Sequence, residues 1–434
     1  MSAAPTPTGP SATGAATPLR APRLEMHRAE FVTMMAMLIA LQALATDSML
    51  PAIGEIAREL GETDPNRRQL IVGLFLLASG AGSLLPGSLA DRFGRRPVLF
   101  TCLGAYLACS LASALVTSFP ALLVCRVLIG LACSGLVVLP STIIRDRFSG
   151  DAMARLNSTV GAVFMIVPII APSLGQFVLL FAGWRWIFAV LGVGAVSVGT
   201  WAWLRLPETL HDDYRSTSGF GELVGNMGRV LINRSAFGYM LGNALVLGTL
   251  FGYVQCSQQL VAEHFGAGRS FPLLFGATAI AMSLSSMTNA GIVERFGARR
   301  VSHTAVLAFI VTSAAQLWVA SRPGETIWQF MPLMAINMCL VGFIGANFGS
   351  ISLQPFARMA GAASSVQSFV RMVSASLLGM LIGQLYDGSA RPLAIALVTC
   401  SVMTLGLVLF SEKGKLFRRL NPPSRGAANI YASH

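Results

Sequence analysis

Apolar residues run along the chain in blocks of about twenty, from residue 31 to residue 411, with short polar stretches between them. Roughly 20 helical residues cross about 30 Å of hydrocarbon. Segments of that length stand near 31–51, 69–90, 98–117, 121–143, 156–181 and 186–206. After a polar stretch from Glu208 to Arg234, six more follow near 236–259, 271–293, 301–320, 327–350, 362–386 and 391–411. The pattern predicts an all-α membrane protein: twelve transmembrane helices in two six-helix, pseudo-symmetric bundles at 29–207 and 235–411. Between them lies a cytoplasmic central loop at 208–234, with cytoplasmic tails at 1–28 and 412–434. The first 24 residues are rich in Pro, Ala, Thr and Ser and hold no apolar core of signal-peptide length, so an uncleaved, disordered tail is expected.

Composition agrees with a bilayer as the solvent. The chain is 54% hydrophobic and 12% charged, and its mean hydropathy of +0.65 exceeds what a soluble core of this size could hide. The formal charge of +12 could point to nucleic acid, but its distribution does not. With the N-terminus inside, 22 of the 31 Lys and Arg fall in inward segments and seven in outward loops, while Arg126 and Arg371 fall within spans. This is a topology signal with both termini in the cytoplasm, and no nucleic-acid partner is expected. The seven cysteines stand singly in apolar stretches, without a Cys-x-x-Cys pair, and read as packing residues rather than metal ligands or disulfides.

The loop after the second span reads Gly87-Ser88-Leu89-Ala90-Asp91-Arg92-Phe93-Gly94-Arg95-Arg96, and it has an echo 203 positions later in Ile292-Val293-Glu294-Arg295-Phe296-Gly297-Ala298-Arg299. Acid, Arg, Phe and Gly recur in register, each time between the second and third span of a half. Two parallel halves related about the membrane normal would give this repeat. With Gly87, Asp91, Arg92, Gly94, Arg95 and Arg96 in place, the loop resembles the signature of the major facilitator superfamily. Gly87 would let two helices approach, and Asp91 with the arginines would form a charge network that latches and releases the two halves.

Within that superfamily the chain, over about 42–380, is most similar to the Bcr/CflA branch of bacterial drug:proton antiporters. The passages that carry this are Ala45-Thr46-Asp47-Ser48-Met49-Leu50-Pro51-Ala52, Arg145-Asp146, Ala171-Pro172-Ser173-Leu174-Gly175, Gly183-Trp184-Arg185-Trp186 and Leu206-Pro207-Glu208-Thr209. Arg126 is followed by Ile129-Gly130 where the family has Gln-Gly, and Gly175-Gln176 stands where the family ends in two glycines. The resemblance implies a multi-pass protein of the bacterial inner membrane, monomeric and without a cofactor, that uses the proton gradient to export drugs or other small amphipathic molecules. The alternative is a proton symporter or facilitator for a small metabolite.

Proton coupling needs a carboxylate inside the bilayer, and Asp47 is the only acid well within a first-half span. The competing reading is a solvated residue at the outer helix end. Arg126 is the expected charge partner across a central cavity, or else a structural strut bonded to backbone carbonyls. Arg371 resembles a second buried cation without an assigned role. Pro51, Pro168 and Pro172 are candidate bending points and Gly175 a packing position. Gln42, Tyr253, Gln255, Asn337 and Gln367 either face substrate or bond between helices. An ATP-driven pump is excluded, because the only lysines, Lys413 and Lys415, lie outside any phosphate loop. A metalloenzyme lacks ligand pairs: the five histidines are scattered, and His211-Asp212-Asp213 reads as a solvated cluster in the central loop.

Overall fold

The computed structural model describes residues 26–148, 166–210 and 233–417, with isolated positions between these stretches. Most of the expected tails and of the central loop lie outside the described residues. In the first half, α1 (Arg28–Asp47) ends in a 3-10 turn at Leu50–Ala52 and a short α2 (Ile53–Glu59). It continues with α3 (Leu70–Gly82), α4 (Leu85–Phe93), α5 (Arg95–Leu115), α6 (Phe119–Arg147), α7 (Val167–Phe181) and α8 (Arg185–Arg205). The second half has α9 (Arg234–Gln258), α10 (Phe271–Phe296), α11 (Ala298–Ala320), α12 (Ile327–Leu353), α13 (Ala360–Gln384) and α14 (Arg391–Ser411).

Among the described residues ten helical stretches are long and apolar enough to cross a bilayer, and α3 with α4 makes an eleventh, bent by 45°. The shorter α7 stands where the remaining span is expected, its N-terminal side largely outside the described residues. Among the described residues helix thus stands at each of the twelve expected places, the fifth being described chiefly in its C-terminal part. The bend between α3 and α4 follows from Pro86 in the first turn of α4, which cannot donate back to the α3 backbone. Ser83 fills the gap by donating from both backbone and hydroxyl to the Gly80 carbonyl.

Lipid tails are as apolar as leucine, so the helices associate through close packing rather than hydrophobic exclusion. Small residues mark the seams. A side chain on Gly130 of α6 would collide with the Phe75 carbonyl of α3, and one on Gly135 with Cys102 of α5. In the second half, Gly238 of α9 lies on the Leu407 carbonyl of α14, and Gly248 and Gly252 lie on Leu378 and Ile382 of α13. The repeat seen in the sequence is also a repeat of backbone. Gly94 and Gly297 both join second to third span with φ of 102° and 85° and ψ of 152° and 145°, a left-sided conformation that glycine adopts without steric cost.

The halves meet through α3 against α13 and α7 against α10. At the end opposite the Gly87–Arg96 loop they are pinned together by polar side chains. Asn66 donates to the carbonyls of Gln384 (2.9 Å) and Tyr386 (3.0 Å), and Gln384 donates back to the Asn66 carbonyl at 2.8 Å. Arg68 pairs with Glu263 at 2.6 Å. Gln69 bonds Gln259, which also donates to the Pro65 carbonyl at 2.6 Å. Gln259 and Glu263 are presented by a π-helical turn, Gln259–His264, that ends α9. The protein is therefore closed at this end.

Candidate functional site

Below the closed end lies an apolar chamber of about 280 Å³, walled by α1, α9, α10 and α13. A second, larger chamber of about 650 Å³ extends from it towards the Gly87–Arg96 end and is lined by serine and threonine from α3, α6 and α13. Gln42, Arg371 and Met372 line both and form the waist between them. At the far mouth Ser141, Arg145, Ser364 and Ser365 are exposed, so the path from the apolar chamber leads out at the basic end.

Asp47 is the last residue of α1 and lines the apolar chamber. It is held there by local backbone chemistry. Thr46 and Ser48 turn their hydroxyls onto the carbonyls of Gln42 and Leu44, and Pro51 lies in the 3-10 turn that breaks the helix just beyond. Gly175 of α7 presses on the Ser48 carbonyl so closely that any side chain there would overlap it. Pro172 is buried one turn earlier in the same helix, and Pro168 lines the chamber. Among the described residues the Asp47 carboxyl has no hydrogen-bond or ion-pair partner.

The expected pairing of Asp47 with Arg126 is not what the structure shows. Arg126 is fully buried between α3 and α6 and lines neither chamber. It donates from Nε to the Ile71 carbonyl at 2.9 Å and lies 4.4 Å from the centre of the Phe75 ring. The cation that shares the chamber with Asp47 is Arg371 on α13, which has no partner among the described residues. The only sequence signal for it was its place within a span. The candidate polar residues separate in the same way. Gln42 and Tyr253 line the chamber, with Gln42 donating to Ser79 at 2.8 Å. Asn337 instead accepts from Thr312 between α11 and α12 at 2.5 Å, Gln367 donates to the Gly349 carbonyl at 3.2 Å, and Gln255 sits beside Gly73 and Gly379 in the seam between α3 and α13.

The Gly87–Arg96 loop forms a charge network, but one confined to the first half among the described residues. Arg95 pairs with Asp91 at 2.5 Å and with Asp146 of α6 at 2.8 Å. Arg96 donates to the Trp203 carbonyl at 2.6 Å and lies over the rings of Phe100 and Trp203. Arg92 lies beside the Phe93 ring. Gly87 does not sit in a close helix contact, since a Cβ there would meet only Val138 at 4.0 Å; the tight position is Gly82, a turn earlier, against Ser134.

The group that organises this network is Glu208, which the sequence marked only as part of the Leu206-Pro207-Glu208-Thr209 passage, without a role. Its carboxylate accepts from the backbone N–H of Arg95 and Arg96, both at 3.0 Å, and from those of Thr209 and Leu210. It caps the N-terminus of α5, whose first N–H groups have no partner inside the helix. Burial pushes the Glu208 carboxyl up, and the four N–H donors outweigh this and hold it below its ordinary range. Glu412 occupies the matching place after α14. Burial likewise raises it, and hydrogen bonds from Arg299 and Tyr239, each 2.7 Å, bring it below the usual value. Replacing Glu208 by Ala should cost about 1 kcal/mol of first-half stability, the scale of a lost helix cap, read as a lower unfolding temperature in detergent. Because the folded carboxyl is depressed, the wild type holds its advantage above the ordinary carboxylate range and loses it as acid reaches the lowered value. Equal melting at neutral pH would remove Glu208 from this role.

A two-fold repeated helical bundle, closed at one end around a chamber with two unpaired charges, is the architecture of a membrane transporter and not of an enzyme. The family model described as Major Facilitator Superfamily matches residues 35–380, and the chain belongs to that superfamily. It is similar to a bicyclomycin resistance protein homolog of Haemophilus influenzae, 26% identical over 86% of this chain and 94% of the relative. It is also similar to a chloramphenicol resistance protein of Pseudomonas aeruginosa, 28% identical over 86% and 88%. In fold it resembles a crystal structure of a bacterial homolog to the human lysosomal transporter Spinster, in an inward-facing and occupied conformation. The TM-score is 0.64 and the identity 14%, over 89% of this chain and 96% of that one.

Proposed function

We propose that this protein is a proton-coupled secondary transporter of the bacterial inner membrane that exports drugs or other small amphipathic molecules in exchange for protons. The observation that carries this is Asp47, a carboxyl without a protein partner, facing an apolar chamber that is shut at one end and continuous with an open vestibule at the other. The excess of Lys and Arg at the open end supports a cytoplasmic position for it. In this inward-open state an ionised Asp47 accepts a hydrogen bond from cargo. After the halves rock to open the opposite end, a proton takes that place on the carboxylate and the cargo leaves. Proton and cargo thus exclude each other at one oxygen pair, which is the linkage that exchange requires. The resistance names of the relatives support drug-like cargo.

Adding chloramphenicol to one side of proteoliposomes should drive protons across in the opposite sense, read by an enclosed pH dye. Chloramphenicol and bicyclomycin that both cross without moving protons would sink the exchange reading. A second reading, proton symport of a small metabolite, draws on Arg371: an anion held there would travel together with a proton on Asp47. Co-directional flux of proton and cargo in the same assay marks that case.

A further inference from the structure

Asp47 and Arg371 are the two charged groups that line the apolar chamber among the described residues. Neither has a hydrogen-bond or ion-pair partner, and they do not pair with each other. Apart from the uncharged polar groups of Gln42, Thr46, Tyr253 and Thr278, the rest of the wall is apolar, including Leu247, Phe251, Phe275, Met282 and Met338. From this arrangement we propose that the chamber selects cargo of zero net charge that is strongly dipolar: an apolar body carrying a hydrogen-bond donor for Asp47 and an acceptor or anionic group for Arg371. Neutral amides and zwitterions fit this description, and net cations and net anions of the same size do not.

The physical argument is one of charge balance in a medium that screens poorly. When Asp47 is ionised, as the cargo-binding state requires, one cation and one anion make the empty chamber neutral. A bound cation is attracted by Asp47 and repelled by Arg371, and it sheds its hydration for no net return; an anion meets the converse. A dipolar molecule satisfies both groups and leaves no unpaired charge, the condition under which buried ionic groups cease to be costly.

The vestibule adds no competing selection. Ser83, Ser134, Ser141 and Thr142 each donate their hydroxyl to a carbonyl of their own helix. They therefore turn lone pairs to the vestibule, whose charged lining groups among the described residues are Arg145, solvated at the mouth, and Arg371 at the waist. Charge selection falls to the chamber. Arg371, which lines both spaces, is the specificity-determining cation met by cargo on its way in. The proposal rests on the reading that cargo and proton share Asp47.

The test uses four compounds with one naphthyl body, measured by equilibrium dialysis on the purified full chain in lipid nanodiscs at neutral pH without a gradient. They are 3-(2-naphthyl)propionamide, zwitterionic naphthylalanine, 3-(2-naphthyl)propionate and 2-(2-naphthyl)ethyl-trimethylammonium. The amide and the zwitterion should bind at least about tenfold tighter than either ion. Arg371→Gln should move the order towards the trimethylammonium, Asp47→Asn should move it towards the propionate, and Arg371→Lys should keep the wild-type order. If Arg371→Gln does not fold, the wild-type ranking and Asp47→Asn still decide. A net ion that binds as well as the amide overturns the proposal, and so does no binding by any of the four. An unchanged order in Asp47→Asn is equally fatal. No gradient is present, so a protein that fails to couple to protons can still pass this test, and the two readings fall separately.

Discussion

Asp47→Asn is expected to abolish gradient-driven accumulation while leaving exchange of cargo down its own gradient in place. One unit of pH is worth about 1.4 kcal/mol per proton, so a protein that moves one proton per cargo sustains about a tenfold cargo ratio across a one-unit gradient. The asparagine has the size of aspartate and keeps a hydrogen-bonding head, and the turn after Asp47 is fixed by Thr46, Ser48 and Gly175 rather than by the carboxylate. Folding should therefore survive. In proteoliposomes loaded with chloramphenicol, the steady ratio should fall from about ten to one in the variant. A ratio that stays near ten would place the proton on another group.

That prediction rests on a residue legible from the chain alone, and other parts of the site were not. An acid within an apolar span is conspicuous in any sequence, and Asp47 was. The loop at Gly87–Arg96 and its echo likewise announced two halves, because a repeat of residue types needs no three-dimensional knowledge. Glu208 was hidden by distance: its work is done on the backbone of Arg95 and Arg96, more than a hundred residues earlier, and nothing near Glu208 indicates that the first turn of α5 waits there. Arg126 and Arg371 are alike in sequence, each an arginine inside an apolar run. What separates them is the rotational phase of their helices. These helices are apolar nearly all round, so their sequences carry little signal of which face meets the cavity. Arg126 turned out to point into the seam between α3 and α6, and Arg371 into the waist. The same ambiguity divides Gln42 and Tyr253, which reach the chamber, from Gln255, Asn337 and Gln367, which do not.

The closed end supplies the second large effect. Gly383 of α13 faces the buried amide of Gln69, and a side chain there would occupy the space of that amide. Gln69 cannot swing away without leaving Gln259, and Gln259 is also the donor to the Pro65 carbonyl. Gly383→Leu therefore acts as a wedge at the point where the halves are pinned. The Arg68–Glu263 pair opens to solvent on its Glu263 side, so the end does not rest on it alone, since solvent-screened pairs contribute at most about 1 kcal/mol. Displacing a buried, bonded amide costs about 1–3 kcal/mol, enough to move a two-state equilibrium by roughly 5- to 150-fold. Spin labels at Thr63 and Asp387, exposed on the two sides of the seam, should report one short distance in the native protein and a broad, longer distribution in Gly383→Leu. Transport should fall at least tenfold, because a transporter that cannot close this end cannot alternate access to its cargo. Native distances together with native transport would show that the end is shut by something other than the Gln69–Gln259 contact.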